Sequence, residues 1–135
     1  KMKEFIFRDR VYFSDTDAEG IVYHARYLDW AEHARTEMLR EMIPDYSQTE
    51  LSKGEDGVFM VVRSINIEFR NPGFLDDIIE VHTSVKEMQH FSCTVHQRIM
   101  RGSDLLAELD IKIAFISSVT RRPHQIPSFI SQLAE

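Results

Sequence analysis

From Ser14 to Leu28 the chain reads Ser-Asp-Thr-Asp-Ala-Glu-Gly-Ile-Val-Tyr-His-Ala-Arg-Tyr-Leu, which gathers three carboxylates, a glycine and a histidine into one short stretch. A carboxylate can attack a carbonyl carbon or take a proton from water. A histidine beside it adds a group that titrates near neutral pH. The candidate catalytic residues therefore lie among these carboxylates, with Tyr23 and His24 beside them. The same residue types also have a plainer use, because Asp15, Thr16 and Asp17 close turns and cap helices. His24, in a turn that starts a helix, equally suits capping or packing. The apolar Ile21-Val22-Tyr23 that follow should draw the loop inward rather than leave it in solvent.

Other reactive side chains stand alone. His33, His82, His96 and His124 show no convincing metal-ligand spacing with a carboxylate, so neither a metal nor another cofactor is expected. Cys93 is the sole cysteine, so no intramolecular disulfide is possible. It falls in an alternating strand pattern that predicts a buried, inert thiol. Arg63 interrupts an apolar strand face, where it could meet a carboxylate in the core or at a subunit interface.

Five segments alternate with period two and predict half-buried strands. The first covers residues 5–13, with Phe5, Phe7, Val11 and Phe13 on one face. The second, 58–70, sets Phe59, Val61, Ile65, Ile67 and Phe69 against Ser64, Asn66, Glu68 and Arg70. Segments 78–88 and 91–100 follow, joined by a turn near Gln89 and His90. The last, 105–116, turns Leu105, Ala107, Leu109, Ile111, Ile113 and Phe115 inward, after a hairpin turn at Arg101-Gly102-Ser103-Asp104. Between the first two strands, Tyr27, Ala31, Ala34, Met38 and Met42 recur at helical spacing. Leu28, Trp30 and Leu39 widen that stripe, and Glu32, His33, Arg35, Glu37 and Arg40 form the polar side. Pro44 ends the helix, and residues 127–133 are the candidate for a second, short one. Hairpins joined to one helix make an α+β domain in which a curved sheet wraps the helix.

The 135 residues fit one domain, 1–135, with neither repeat nor linker. Lys and Arg number 16 against 22 Asp and Glu, a formal charge of -6 that argues against a general nucleic-acid binder. A few local cations could still hold an anionic small ligand. Residues 1–7 lack the apolar run of a signal peptide and no stretch could span a membrane, so a cytoplasmic protein is expected.

The order Asp-Thr-Asp-x-x-Gly-Ile-Val-Tyr-His-x-x-Tyr-Leu, followed by Glu32-His33-Ala34-Arg35-Thr36-Glu37-Met38-Leu39, resembles the signature of the YbgC-type acyl-CoA thioesterases. These are the Tol-Pal-associated branch of the 4-hydroxybenzoyl-CoA thioesterase-like hot-dog enzymes. Val61-Val62-Arg63, Leu75-Asp76-Asp77, Gln97-Arg98 and Arg122-Pro123 extend the resemblance over nearly the whole chain. Glu19 departs from it, standing where small residues are common, and His90 and Phe91 occupy a variable turn.

The resemblance implies a hot-dog fold of about five antiparallel strands around one long helix, and hydrolysis of an acyl-coenzyme A thioester. It makes Asp17 the catalytic carboxylate, as nucleophile or general base, and gives Asp15 a structural part in shaping the loop. The backbone N–H at His24, at the positive end of the helix, would polarise the thioester carbonyl. Gly20 would let substrate approach. Lys86, Ser92, Arg121 and Arg122 are the candidates for coenzyme A phosphates. A homo-oligomer, dimer or tetramer, with sheets joined edge to edge and the active site at the boundary is implied too, as is a context of acyl carrier protein or Tol-Pal. Pairing an exposed sheet edge has an independent physical motive. Two alternatives are a non-catalytic acyl-ligand or protein-binding module on the same fold and a hot-dog hydratase or dehydratase. The latter's characteristic His-Phe-Pro-type segment is not seen.

Overall fold

The computed structural model describes residues 4–134. Expectations touching residues 1–3 and 135, including part of the leader reading over 1–7, lie outside the described residues. In chain order the elements are β1 (Phe5–Arg10), α1 (His24–Met42), α2 (Gln48–Leu51), β2 (Val58–Phe69), β3 (Ile78–Met88), β4 (Ser92–Arg101), β5 (Asp104–Ser117) and α3 (Ser128–Ser131). The strands form one sheet in the order β1-β3-β4-β5-β2, and every pairing is antiparallel. This is the α+β hot-dog arrangement that the alternating strands and single long helix predict.

Helix α1 forms because Tyr27, Trp30, Ala31, Ala34, Met38 and Leu39 recur three or four residues apart and are all buried. It stops where the Ile43 N–H bonds back to Leu39 O and Pro44 cannot continue the ladder. Its apolar face lies on Ile79 and Val81 of β3, Val95 and Ile99 of β4, and Leu109, Ile111 and Phe115 of β5, which form one buried cluster with it. Trp30 is fully buried there, and truncation to Ala would cost about 3–5 kcal/mol.

The structure corrects the strand patterns in three places. β1 ends at Arg10, so Val11 is buried while Phe13, in a 3₁₀ turn, is 81% exposed. In β2 the register against β5 shifts between Val62 and Ser64, a β-bulge at Arg63. Met60 and Val62 are thereby paired with the buried Phe115 and Ile113, and Ile65 and Ile67 with the buried Ile111 and Leu109. Phe59 and Val61 consequently face away from α1, and the face assigned by strict alternation changes at the bulge. In β5 a second irregularity, between Ile99 and Met100 on β4, leaves Leu106 fully buried and Leu105 only partly so. Helix α2 was not signalled by periodicity, being a single turn capped by Ser47, whose side chain accepts from Glu50 N.

β2 is an edge strand whose apolar residues are poorly covered. Val61, Val62, Ile65 and Phe69 are each about 40% exposed, because α1 packs over β1, β3 and β4 rather than over β2.

Candidate active site

The loop between β1 and α1 is held from both ends. Asp15 is buried, and its carboxylate accepts from the Tyr12 N–H (2.8 Å) and from Arg26 Nε (2.7 Å). Arg26 lies in the first turn of α1, with its guanidinium 4.8 Å over the Trp30 ring. Trp30 Nε1 in turn donates to Asp9 Oδ2 on β1 (3.1 Å). This chain of contacts fixes the helix start relative to the strand end, which is the shaping part expected of Asp15.

Asp17 sits at the tip. Its backbone N–H bonds Ile21 O (2.8 Å) and its carbonyl accepts from the Gly20 N–H (3.0 Å). Gly20 has φ +78, a left-handed conformation that other residues adopt at a cost. The Asp17 Oδ1 atom accepts from the Glu19 N–H (2.9 Å) and the Ile21 N–H (3.3 Å), while Oδ2 bonds no described residue. One oxygen holds the turn, and the other is available.

Tyr23 is the N-cap of α1 and makes no side-chain capping bond. His24 opens the helix, so its backbone N–H has no acceptor within the helix. The imidazole stacks on Phe69 of β2, with ring centroids 4.4 Å apart. Phe69, Asn71 and Pro72 join Ile21, Val22 and His24 in an open cavity of about 230 Å³ at the helix start. Its floor is tied together by Tyr27, whose hydroxyl accepts from the Gly73 N–H (3.0 Å), and by the Val22 N–H on Gly73 O (2.9 Å). Burial pushes the Tyr27 hydroxyl above its ordinary pKa. A Cβ at Gly73 would lie 3.0 Å from Val22 Cγ2 and 3.2 Å from Tyr27 Oη, so any larger residue would press on both side chains. The Phe69 and Gly73 contributions were not foreseen. The Asn-Pro-Gly turn at 71–73 was the available signal.

The phosphate candidates lie elsewhere in the chain. Lys86 Nζ bonds Asp110 Oδ2 (3.0 Å), and Ser92 Oγ bonds Gln89 Oε1 (3.0 Å). Arg121, at φ 64, holds its guanidinium 5.1 Å over the Phe59 ring, and Arg122 is exposed beside it. These four residues occupy the end of the sheet where β3 and β5 finish and β4 and β2 begin, whereas Asp17 and His24 lie at the other end. The length of β2, on the order of 35 Å, separates the two groups within one chain.

Arg35 is a further departure from the sequence pattern. Expected on the polar side of α1, it turns inward, and its Nη1 donates to Oε1 of the fully buried Gln97 (3.1 Å). Its place four residues after Ala31 and three before Met38 puts it at the margin of the apolar stripe. Among the described residues, no group of three or more His, Cys, Asp or Glu converges as a metal site, and no helix is long and apolar enough to cross a membrane.

A model of the thioesterase-like superfamily matches residues 11–133. The acyl-CoA thioesterase YbgC of Haemophilus influenzae is 37% identical over 123 residues, covering 91% of this chain and 88% of that protein. The acyl-CoA thioesterase YbgC of Helicobacter pylori is 35% identical over 136 residues, covering 93% and 96% respectively. The crystal structure described as a "Probable Thioesterase from Bartonella henselae" superposes with a TM-score of 0.83 at 34% identity, covering 92% of this chain and 99% of the other. The chain therefore belongs to the thioesterase-like superfamily, among the relatives of the YbgC acyl-CoA thioesterases.

Proposed function

We propose that the protein hydrolyses an acyl-coenzyme A thioester, with Asp17 as the acting carboxylate and the His24 backbone N–H as donor to the thioester carbonyl. The observation that carries this reading is the division of labour at Asp17, where two backbone N–H groups hold Oδ1 and leave Oδ2 unbonded. As a substrate carbonyl is attacked, negative charge gathers on its oxygen, and the unpaired N–H and dipole at the start of α1 stabilise it. Two routes share this geometry. In one, Asp17 Oδ2 adds to the carbonyl carbon, the C–S bond breaks with release of coenzyme A thiolate, and water then cleaves the anhydride. In the other, Oδ2 takes a proton from water, whose oxygen forms the new C–O bond as the same thiolate leaves. Neither route calls for a metal, because a thiolate is a good leaving group.

The working unit we infer is a homodimer paired through β2. Antiparallel pairing about the middle of that strand satisfies its free edge and covers Val62, Ile65 and Phe69. It also brings the β2 start of one copy, with Arg121 and Arg122, to the β2 end of the other, where His24 stacks on Phe69. Residues separated by the length of β2 within one chain can then serve one ligand, with Arg121, Arg122, Lys86 and Ser92 as the phosphate contacts. Thiol release from acyl-coenzyme A tests the reading. Turnover by the wild-type protein that disappears in Asp17→Ala supports it, and binding without any turnover by the wild-type protein favours the acyl-binding module instead.

A further inference from the structure

Beneath the C-terminal half of α1 lies a second cavity, of about 150 Å³. Its walls are largely apolar, including Met38, Met60, Val62, Val95 and Phe115. A dry cavity of about this size accommodates a single benzene ring, so the space suits a chain of roughly four to six carbons. Met60 and Val62 are the inward residues of the first half of β2. In the β2-paired dimer this wall lies on the same face of the sheet as the partner's helix start, next to which the thioester would be cleaved.

One side chain does not fit an apolar pocket. Arg35 also lines the cavity, and burial lowers its pKa because the cation has lost solvent. It is anchored by Gln97, whose Nε2 donates to Ala31 O (2.9 Å) and Thr83 Oγ1 (2.9 Å), leaving Oε1 for the guanidinium. Among the described residues, no carboxylate forms an ion pair with Arg35. Glu32, also at the cavity, is exposed and takes a bond from Thr36 Oγ1 (2.5 Å). Its charge favours the Arg35 cation through space, without a direct ion pair. A partly buried cation with no carboxylate in direct contact is costly, and a ligand carboxylate placed on it would relieve that cost.

Resting on the thioesterase reading, we infer that this cavity is an acyl pocket and that Arg35 selects short acyl groups ending in a second carboxylate. The substrate class is the monothioester of a dicarboxylic acid of about four to six carbons, with the distal carboxylate on the guanidinium.

The test compares glutaryl- with pentanoyl-coenzyme A, and adipyl- with hexanoyl-coenzyme A, in wild-type protein and in Arg35→Gln. A charge-assisted hydrogen bond predicts a wild-type kcat/KM about tenfold or more in favour of the carboxylated member of each pair. Arg35→Gln should lower that ratio by a similar factor. A structural role would depress both members together and leave the ratio unchanged, and that result overturns the proposal. A wild-type protein that cleaves the plain acyl thioesters as well or better overturns it too, even if the variant does not fold, while leaving the thioesterase reading intact. If none of the four is cleaved, yet other acyl-coenzyme A thioesters are, the proposal alone falls. Absence of thiol release from every acyl-coenzyme A removes both.

Discussion

Arg26 Nε lies 2.7 Å from Asp15 Oδ1, with both side chains largely shielded from water, and this pair joins the loop carrying Asp17 to the first turn of α1. Its consequence is a division between two acidic residues placed two apart. Asp15 keeps the loop in place, and Asp17 is exposed at the tip with an oxygen unused.

Asp15→Ala should therefore act on stability. Removing the carboxylate strands the Tyr12 N–H and takes from Arg26 its 2.7 Å partner, leaving it Asp9 and Asp29 at 3.8 Å, a loss of about 1–3 kcal/mol. Urea unfolding would measure it. Asp17→Asn keeps an oxygen for the Glu19 and Ile21 N–H groups, and should change stability by less than about 1 kcal/mol.

Tyr27→Phe should cost about 1–2 kcal/mol, because the Gly73 N–H loses its acceptor in a buried place. Gly73→Ala should be destabilising as well, through contact with Val22 and Tyr27. Thermal unfolding of both variants checks the pairing of helix and loop that forms the floor of the cavity beside His24.

Cys93 should resist thiol reagents at pH 8 in the folded protein and react on unfolding. Burial pushes its pKa up to about 11 from an ordinary 9.0, so almost no thiolate is present in the native state. The linkage has a definite sign. The folded form holds this proton more tightly than the unfolded chain, so its contribution is complete below pH 9 and is lost as pH rises towards 11. Native and denatured thiol titrations read both effects.

Ile65→Glu should separate the proposed dimer. Ile65 is 39% exposed in the single chain, so the substitution should leave the circular dichroism spectrum unchanged. A charge on each copy's edge strand would oppose pairing. Light scattering should report a monomer, and thiol release should fall about tenfold or more if the site is completed by the second copy.

Much of this molecule is legible in the sequence, for physical reasons. The period of α1 and the alternation of β3, β4 and β5 reflect burial against one another, and the left-handed φ of Gly20 is one that a glycine adopts freely. Strict alternation failed at Arg63 because a bulge inserts one residue without changing composition. Helical periodicity puts Arg35 on the polar side because its inward turn depends on Gln97, which is far along the chain and silent in a helical pattern. The stacking of His24 on Phe69 is likewise a tertiary contact. The distance between Asp17 and the Arg121–Arg122 pair reflects the antiparallel run of β2, which motif order does not reveal.

The central claim rests on Asp17, and the direct measurement is kcat/KM for thiol release from an acyl-coenzyme A by the wild-type protein and by Asp17→Asn, with both folds verified by thermal unfolding. The account predicts a fall of about 10²- to 10⁴-fold with an unchanged unfolding temperature. An Asp17→Asn protein that remains folded and turns over at the wild-type rate would contradict it.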